Sequence, residues 1–277
     1  MTKWGIMEGR LVPPEDGRFQ CFPRSQWESE FTHAAKIPFD YIEWVYDLYG
    51  HDVNPLGNPA GTGIERLKNL VASTGVCIRS VCADYFMDKP LVRCSPRELD
   101  ERLQELARIL RNGRAVGVNR VVIPFVDASA IRSNEDFVAV QDALKAAVPF
   151  AEETGIEIHL ETSLGPAEFA KLLDRIPHPS LRVNYDSGNS ASLGYSPANE
   201  LAAYGDRIGS VHIKDRVLNG GTVPLGTGNA DFAALFSGLE KIEYRGDFTL
   251  QVARGTPGDE VAWAKQNLAF IRGHWHN

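Results

Sequence analysis

Four residues of the chain have the types and positions of a metal site. Each stands within or at the end of a short apolar run: Glu161, Asp186, His212 and Gln251. Two carboxylates, an imidazole and an amide oxygen form a donor set that divalent cations such as Mn²⁺ and Mg²⁺ accept. Four protein ligands leave coordination positions for water or substrate oxygens, which is typical of a catalytic metal. Any one of these residues alone is more simply explained as a loop cap or a core residue. A metal is indicated because all four occur together within or at the ends of such runs.

The apolar runs that carry these residues belong to a series of eight. The runs are short and rich in β-branched or aromatic residues, which is typical of strands buried on both faces of a parallel sheet. We predict strands at Trp4–Met7, Tyr41–Trp44, Ile78–Ala83, Arg120–Phe125, Glu157–Glu161, Leu181–Asp186, Ile208–Lys214 and Phe248–Val252.

Amphipathic stretches separate the predicted strands. Leucines at three- and four-residue spacing predict a helix over Pro96–Val116, and Ser95 with Glu98 forms a capping box before it. Asn134–Glu153 and Pro257–Arg272 have the same helical pattern. Strict alternation of strands and helices indicates a parallel sheet with right-handed crossovers, and eight repeats favour an α/β fold of the closed (β/α)₈ barrel type. In such a barrel the C-terminal strand ends meet at one mouth, which brings the four candidate ligands together.

The size, charge and cysteine content of the chain exclude several classes of protein. A length of 277 residues suits one barrel domain over residues 1–277, and no linker divides the sequence. A net charge of −7 disfavours a nucleic-acid-binding surface. The sequence has no apolar run of about 18 residues and no signal peptide at Met1–Trp4. The cysteines lack metal-type spacing and are interpreted as free thiols of a reducing compartment, so we expect a cytoplasmic protein.

Other polar residues at strand ends are candidates for substrate binding. Three of them are arginines, whose guanidinium groups suit phosphate or carboxylate, so an anionic substrate is one interpretation and ordinary surface arginines are the other. The carboxylates could bind sugar hydroxyls, act as a base or have structural roles. These candidates are Glu8, Arg10, Glu43, Asp84, Arg216 and Arg254.

Three segments outside the strands have less definite interpretations. The insertions Pro13–Phe22 and Leu48–Gly63 follow the first two strands and are interpreted as lids or as contacts of a homo-oligomer. The segment His274–His276 has two histidines, but its tail position favours a frayed or interface segment over a metal site.

Six motifs spread over the chain resemble one family. They are Gly5–Leu11, Ile42–Trp44, Leu160–Thr162, Tyr185–Asn189, Val211–Asp215 and Pro224–Phe232. With them the sequence resembles the xylose-isomerase-like TIM barrels, which include sugar-phosphate isomerases and epimerases, over nearly its whole length. The motifs are fairly specific for this superfamily and poorly specific for the substrate.

The resemblance implies a ligand set of Glu, Asp, His and a final Glu, in which both glutamates also move protons. Glu161, Asp186 and His212 match this set, whereas Gln251 replaces the final glutamate. Asn189 stands where the family commonly has a histidine, and we expect it to contact substrate. The cofactor implied is a divalent metal, with Mn²⁺ as the first expectation and Mg²⁺, Co²⁺ or Zn²⁺ as alternatives.

The family chemistry implied by the resemblance is enolisation of a sugar through an enediolate that the cation stabilises. A carboxylate removes the carbon-bound proton, whose return to the opposite face gives an epimer and to the neighbouring carbon an isomer. Gln251 cannot accept a proton at neutral pH, so the second base of the family scheme is missing. Lys214 lies two residues after His212 on the same side of the strand and is a candidate replacement. A solvated loop lysine, or one paired with Asp215, is the alternative.

We therefore predict a divalent-metal-dependent isomerase or epimerase of a sugar, sugar acid or sugar phosphate, with Glu161 and Lys214 as catalytic residues. A dehydratase using the same intermediate is an alternative. A weakly active or non-catalytic sugar-binding barrel is another, because Gln251 replaces the second glutamate. A phosphodiesterase of the AP-endonuclease type is disfavoured, because that chemistry uses several metals and the chain has only seven histidines.

Overall fold

The computed structural model describes residues 2–57 and 62–275. Eight parallel strands close into a barrel in the order β1-β2-β3-β4-β5-β6-β7-β10, with β10 paired to β1. Each barrel strand lies within two residues of a predicted run, because short runs of β-branched residues have few other ways to be buried on both faces. The strands are β1 Trp4–Met7, β2 Tyr41–Val45, β3 Cys77–Cys82, β4 Arg120–Phe125, β5 Glu157–Thr162, β6 Leu181–Asp186, β7 Ile208–Ile213 and β10 Asp247–Leu250. The predicted (β/α)₈ barrel is confirmed.

Helices connect the strands on the outside of the barrel, and a short antiparallel hairpin follows β7. The hairpin pairs β8, Asp215–Arg216, with β9, Thr222–Val223. The helices are α1 Trp27–Ala34, α2 Gly63–Thr74, α3 Tyr85–Asp88, α4 Pro96–Val116, α5 Asn134–Thr154, α6 Pro166–Asp174, α7 Ser187–Leu193, α8 Pro197–Tyr204, α9 Phe232–Lys241 and α10 Glu260–Arg272.

Local chemistry explains where two of these helices begin. The Ser95 hydroxyl accepts a hydrogen bond from the Glu98 amide, and the Glu98 carboxylate accepts one from the Ser95 amide, so α4 starts with the predicted capping box. The last helix begins at Glu260, whereas the sequence predicted Pro257. Gly258 has a φ of 94°, a left-handed conformation that an α-helix cannot contain, and this turn delays the helix.

A network of paired charges fills the N-terminal end of the barrel. Arg120 at the start of β4 reaches across the interior, and its Nη1 donates to Asp247 Oδ2 at 2.8 Å. Its Nη2 donates to the Tyr41 hydroxyl at 2.9 Å, and Arg79 Nε donates to the same Asp247 oxygen at 3.1 Å. Opposite charges in contact offset the cost of removing Arg120 and Asp247 from water. Apolar side chains pack between the strands and the surrounding helices.

Several sequence interpretations of the chain as a whole can be compared with the fold. The single domain over residues 1–277 stays a prediction, supported by strands that run from residue 4 to residue 250 around one barrel. The four cysteines are free thiols. Among the described residues, no helix is long and apolar enough to cross a membrane. The predicted loop Leu48–Gly63 includes positions 58–61, and the predicted tail segment includes His276, which lie outside the described residues.

Candidate metal and active site

Three predicted ligands meet at the C-terminal end of the barrel. Glu161 lies on β5, Asp186 ends β6 and His212 lies on β7, so neighbouring strands present them side by side. One ligand atom from each residue lies within 4.8 Å of the others, and all three side chains are buried. The parallel register places Asp186 directly opposite His212, which brings the carboxylate to the imidazole. These three residues, called here the metal triad, are three of the four ligands that the sequence predicted, and together they could hold a metal ion.

The imidazole of His212 lies between two carboxylates without a well-aligned hydrogen bond. Its Nε2 is 2.6 Å from Glu43 Oε1 and its Nδ1 is 3.2 Å from Glu161 Oε2, yet neither fully buried nitrogen has an aligned partner. Burial alone would lower the pKa of His212, but the two carboxylates outweigh burial and raise it to about 10. The pocket thus favours positive charge at the imidazole. An unpartnered buried nitrogen beside carboxylate oxygens fits a divalent cation.

Hydrogen bonds fix the orientation of the two carboxylates of the metal triad. Asn184 Nδ2 donates to Glu161 Oε2 at 2.8 Å, and Asn189 Nδ2 donates to Glu161 Oε1 at 2.6 Å. Asp186 Oδ1 accepts from the backbone amides of Gly188 and Asn189, both at 2.8 Å, and so caps α7. Its second oxygen is left facing the cavity side chains. Such outer contacts hold metal ligands in place before the metal arrives.

Glu43 and Glu8, both predicted to bind substrate, lie beneath the site with no exposed surface. Glu43 contacts His212 and accepts a hydrogen bond from the Thr249 hydroxyl at 3.2 Å. Burial alone would raise the pKa of Glu43, but the adjacent His212 outweighs burial and lowers it to about 2. Glu8 Oε2 accepts from the Val45 amide at 2.8 Å. The structure therefore brings Glu43 to the imidazole of His212, a candidate metal ligand, where a carboxylate can orient the ring. Neither glutamate is among the residues that line the cavity.

A cavity of about 390 Å³ opens beside the metal triad. This volume lies within the range of small-molecule sites, about 300–1,000 Å³. One part of its wall is apolar and is formed by Phe19, Met87, Pro124, Val126 and Leu193. The polar part includes Gln20, Asp84, Asp127, Glu161, Asn189, Lys214, Arg216 and Gln251. The cavity thus has both a polar and an apolar surface for a small ligand.

Lys214 extends over the metal triad. Its Nζ lies 3.4 Å from Asp186 Oδ2 and 3.2 Å from Gln251 Oε1, so it joins the predicted fourth ligand to the metal triad. A Cβ at Gly188 would come within 2.6 Å of the lysine Cγ, so this path for the side chain requires glycine there. Asp215 is not the partner of Lys214 in the described structure, because its carboxylate accepts hydrogen bonds from backbone amides. Lys214 lines the cavity, and its role as a proton carrier stays a prediction.

Gln20, which no sequence pattern singled out, connects two sides of the cavity. Its Oε1 accepts from Gln251 Nε2 at 2.9 Å, and its Nε2 donates to Asp84 Oδ2 at 2.6 Å. Burial raises the pKa of Asp84 to about 6, opposed by the hydrogen bonds from Gln20 and Cys82. Gln20 lies in a loop without periodicity, so its sequence neighbours give no signal of its position.

Arg10 and Arg254 hold this loop against the barrel. Arg10 Nη1 and Arg254 Nε both donate to the Phe19 carbonyl, at 3.2 and 2.9 Å, and the Arg10 guanidinium lies 4.7 Å from the Phe19 ring centroid. Arg10 Nη2 also donates to Gln20 Oε1 at 2.9 Å. Burial, with Arg254 nearby, lowers the pKa of Arg10 to about 9. Within the described structure these two predicted substrate ligands do not line the cavity; they place Phe19 and Gln20 in its wall.

Arg216 is the predicted arginine that does line the cavity. Its Nη1 donates to Asn189 Oδ1 at 2.7 Å, while its Nε and Nη2 donate to the Gly220 carbonyl at 3.0 and 2.8 Å. The guanidinium is therefore bonded on both of its edges by the protein itself. Direct contact of Arg216, Asn189 and Asp84 with substrate stays a prediction.

Comparison with known proteins identifies the family. The model of the xylose isomerase-like TIM barrel family matches residues 31–274, and the chain belongs to this family. The chain is 28% identical over 266 residues to the L-ribulose 3-epimerase of Methylomonas sp. (strain DH-1), covering 88% of this chain and 84% of that protein. It is 24% identical over 259 residues to an L-ribulose-5-phosphate 3-epimerase of Salmonella heidelberg (strain SL476), covering 88% and 90%. The relatives are sugar epimerases, the class of enzyme that the sequence predicts.

A solved structure confirms the fold independently. The crystal structure of the IOLI protein with a binding zinc atom superposes with a TM-score of 0.77 over 100% of both chains, at 17% identity. At this identity the likeness establishes the barrel fold alone.

Proposed function

We propose that this protein is a divalent-metal-dependent isomerase or epimerase of a sugar. The observation that carries the proposal is the metal triad beside a cavity of small-molecule size. Its relatives are sugar epimerases on the same fold, which supports the same class of reaction here. A cytoplasmic location and assembly into a homo-oligomer remain part of the proposal.

The residues that would hold the metal are Glu161, Asp186 and His212, with the Gln251 amide oxygen as fourth ligand. Oxygen donors with one imidazole favour Mn²⁺ among the candidates, with Mg²⁺, Co²⁺ and Zn²⁺ as alternatives. When bound, such a cation polarises a carbonyl and an adjacent hydroxyl oxygen and so acidifies the neighbouring C–H bond.

Two residues of the chain are proposed to move the protons. Glu161 accepts the carbon-bound proton, since its carboxylate lies in the cavity wall and is held at both oxygens by Asn184 and Asn189. Lys214 serves as the second acid or base in place of the glutamate that Gln251 replaces. Its ammonium contacts Gln251 and lines the same cavity, which allows it to reach the sugar bound there.

The test is metal-dependent exchange of a carbon-bound hydrogen with solvent. We expect the purified protein to bind one divalent cation per chain, and the Mn²⁺-loaded protein in D₂O to incorporate deuterium into a ketose, observed by NMR. Chelation should abolish the exchange. A protein that binds no divalent metal, or that exchanges equally well after chelation, would contradict the proposal.

One observation favours a second candidate, a barrel that binds a sugar without turning it over. Gln251 accepts a hydrogen bond from Lys214 and donates one to Gln20, and its amide cannot carry a proton. Calorimetric binding of a ketose with no deuterium exchange would support this candidate, and release of water from the sugar would instead support a dehydratase.

A further inference from the structure

We propose that the substrate is an uncharged sugar without a phosphate group. This inference rests on the proposed function and concerns the ligand of the same cavity. Its basis is that, within residues 2–57 and 62–275, the glycine-rich loop and the arginines of this barrel mouth already donate hydrogen bonds to other parts of the protein. In (β/α)₈ barrels a phosphate is frequently bound by the loops that follow the last two strands.

The glycine-rich loop after β9 has the composition of a phosphate-binding loop but encloses a carboxylate of the protein instead. The amides of Gly226 and Gly228 each donate to Asp215 Oδ2 at 2.9 Å, and the Ala230 amide donates to Asp215 Oδ1 at 3.0 Å. Asp215 has no exposed surface. A Cβ at Gly228 would lie 2.2 Å from the Asp215 oxygen, so glycine is required for this enclosure. An anion from solution would have to displace a buried carboxylate to reach these amides.

The arginines near the mouth are occupied in the same way. The Arg254 Nε donates to the Phe19 carbonyl and its Nη1 to the Val12 carbonyl, at 2.9 and 3.2 Å. The Arg10 Nε donates to the Val252 carbonyl at 2.9 Å, and its other nitrogens bind the loop that contains Phe19. These hydrogen bonds involve all three nitrogens of Arg10 and two of the three nitrogens of Arg254, so a phosphate would have to compete with acceptors of the protein at both guanidinium groups.

Two other cationic side chains, Arg216 and Lys214, line the cavity and donate hydrogen bonds to acceptors of the protein. Acidic side chains line the same cavity. Arg216 is bonded on both edges, and Lys214 contacts Asp186, Asn189 and Gln251. Asp84, Asp127 and Glu161 line the same cavity. A phosphate dianion here would meet the carboxylates of the wall, and Arg216 and Lys214 would have to give up hydrogen bonds within the protein to bind it, which is costly in a partly buried site.

The apolar part of the cavity wall fits the carbon-bound hydrogens of a neutral sugar. Phe19 is 43% exposed and faces the cavity, where Met87, Val126 and Leu193 extend its apolar surface. The contacts of Arg10 and Arg254 with Phe19 hold its ring in this position. Hydroxyl groups would then face the polar residues, while one C–H face of the ring or chain packs on the apolar ones.

The experiment compares one ketose with and without its phosphate. Metal-saturated full-length protein is titrated in a calorimeter with L-ribulose and with L-ribulose 5-phosphate, and deuterium exchange is followed for both sugars. We expect the free sugar to bind at least about tenfold more tightly than the 5-phosphate, a difference of about 1.4 kcal/mol. We also expect it to exchange faster.

The two readouts separate this inference from the proposed function. Tighter binding of L-ribulose without exchange would support an uncharged ligand and contradict the enzymatic proposal. A preference below tenfold, tighter binding of the 5-phosphate, or binding of neither sugar would overturn the inference, whether or not exchange occurs.

Discussion

At the N-terminal end of the barrel interior, buried groups of opposite charge form aligned hydrogen bonds, whereas at the C-terminal end a buried histidine lies between two carboxylates without an aligned hydrogen bond. At the N-terminal end, Arg120 donates to Asp247 and to the Tyr41 hydroxyl, and Asp247 also accepts from Arg79. At the C-terminal end, both ring nitrogens of His212 lack an aligned hydrogen bond, although two carboxylates lie within 3.2 Å. The first arrangement joins a guanidinium and a carboxylate directly, and the second has the donor atoms that a divalent cation would bind.

This difference gives a physical criterion for separating structural from functional charges in one barrel. A structural charge gains its stabilisation from the folded chain alone, so its removal should change the free energy of unfolding. A charge kept for a ligand should affect binding and turnover more than it affects folding. The following predictions test this criterion.

The largest effect is expected for Glu161→Gln. The substitution removes a metal ligand and the proposed proton acceptor together, so deuterium exchange should fall about a thousandfold or more. Metal affinity, measured by calorimetry, should fall as well, while the melting temperature of the metal-free protein changes little. Glu157→Gln, at the other end of the same strand, is the matched control and should retain exchange. Equal activity of Glu161→Gln and the wild-type protein would disprove the role of Glu161.

At the opposite end of the barrel, Asp247→Asn should reduce stability. The variant leaves the Arg120 guanidinium buried without its counter-charge, which costs about 3 kcal/mol in the free energy of unfolding. Urea denaturation followed by circular dichroism measures this loss. The rate of deuterium exchange per folded molecule should stay near the wild-type value. A variant that loses exchange but keeps its stability would contradict the proposed difference between the two ends of the barrel.

Glu30 on α1 extends the comparison to a buried carboxylate outside the metal triad. Its Oε1 accepts from the Leu11 amide at 3.0 Å, while its Oε2 has no partner, and burial raises its pKa from 4.5 to about 8. Above pH 4.5 the unfolded chain loses this proton and the folded protein keeps it, so stability falls as the pH rises towards 8.

Glu30→Gln should remove this dependence on pH. Between about pH 5 and pH 8 the wild-type protein should lose about 3 kcal/mol of unfolding free energy relative to the variant. Chemical denaturation at several pH values measures the difference, with Glu28→Gln on the exposed side of the same helix as the control. Parallel stability curves for wild type and Glu30→Gln would show that the buried carboxylate does not titrate in this range.

The smallest predicted effect concerns Gln251. Gln251→Glu adds a negative charge to the proposed ligand set and should tighten Mn²⁺ binding about tenfold. Thr222→Glu adds a negative charge to the same cavity wall at a residue that is not a proposed ligand. If both variants tighten binding equally, the effect comes from the electrostatic field of the cavity, and Gln251 is not a ligand.

Much of the barrel and the metal triad follows from the sequence because both depend on short-range patterns. The β-branched runs define the strands, and parallel topology then brings the C-terminal strand ends of Glu161, Asp186 and His212 together. Asn184 could also have been predicted, since it precedes Asp186 by two residues and so shares its face of the strand.

The loop contacts could not be predicted because they depend on tertiary packing. Gln20 and Phe19 belong to an irregular segment that forms part of the cavity wall. Hydrophobic periodicity does not predict the path of such a segment. The sequence also placed Arg10 and Arg254 at the mouth without indicating which way each side chain turns. Backbone carbonyls of the loop determine which way these two side chains turn. The positions of these carbonyls are set only when the chain folds.

The contact of Arg10 and Arg254 with one carbonyl also sets an order of events during synthesis. Phe19 and Arg10 leave the ribosome early, but Arg254 and Gln251 follow only after the seven preceding barrel strands have emerged. The cavity wall therefore cannot be completed on a partial chain. A nascent barrel that has not yet joined its first and last strands therefore lacks a finished pocket.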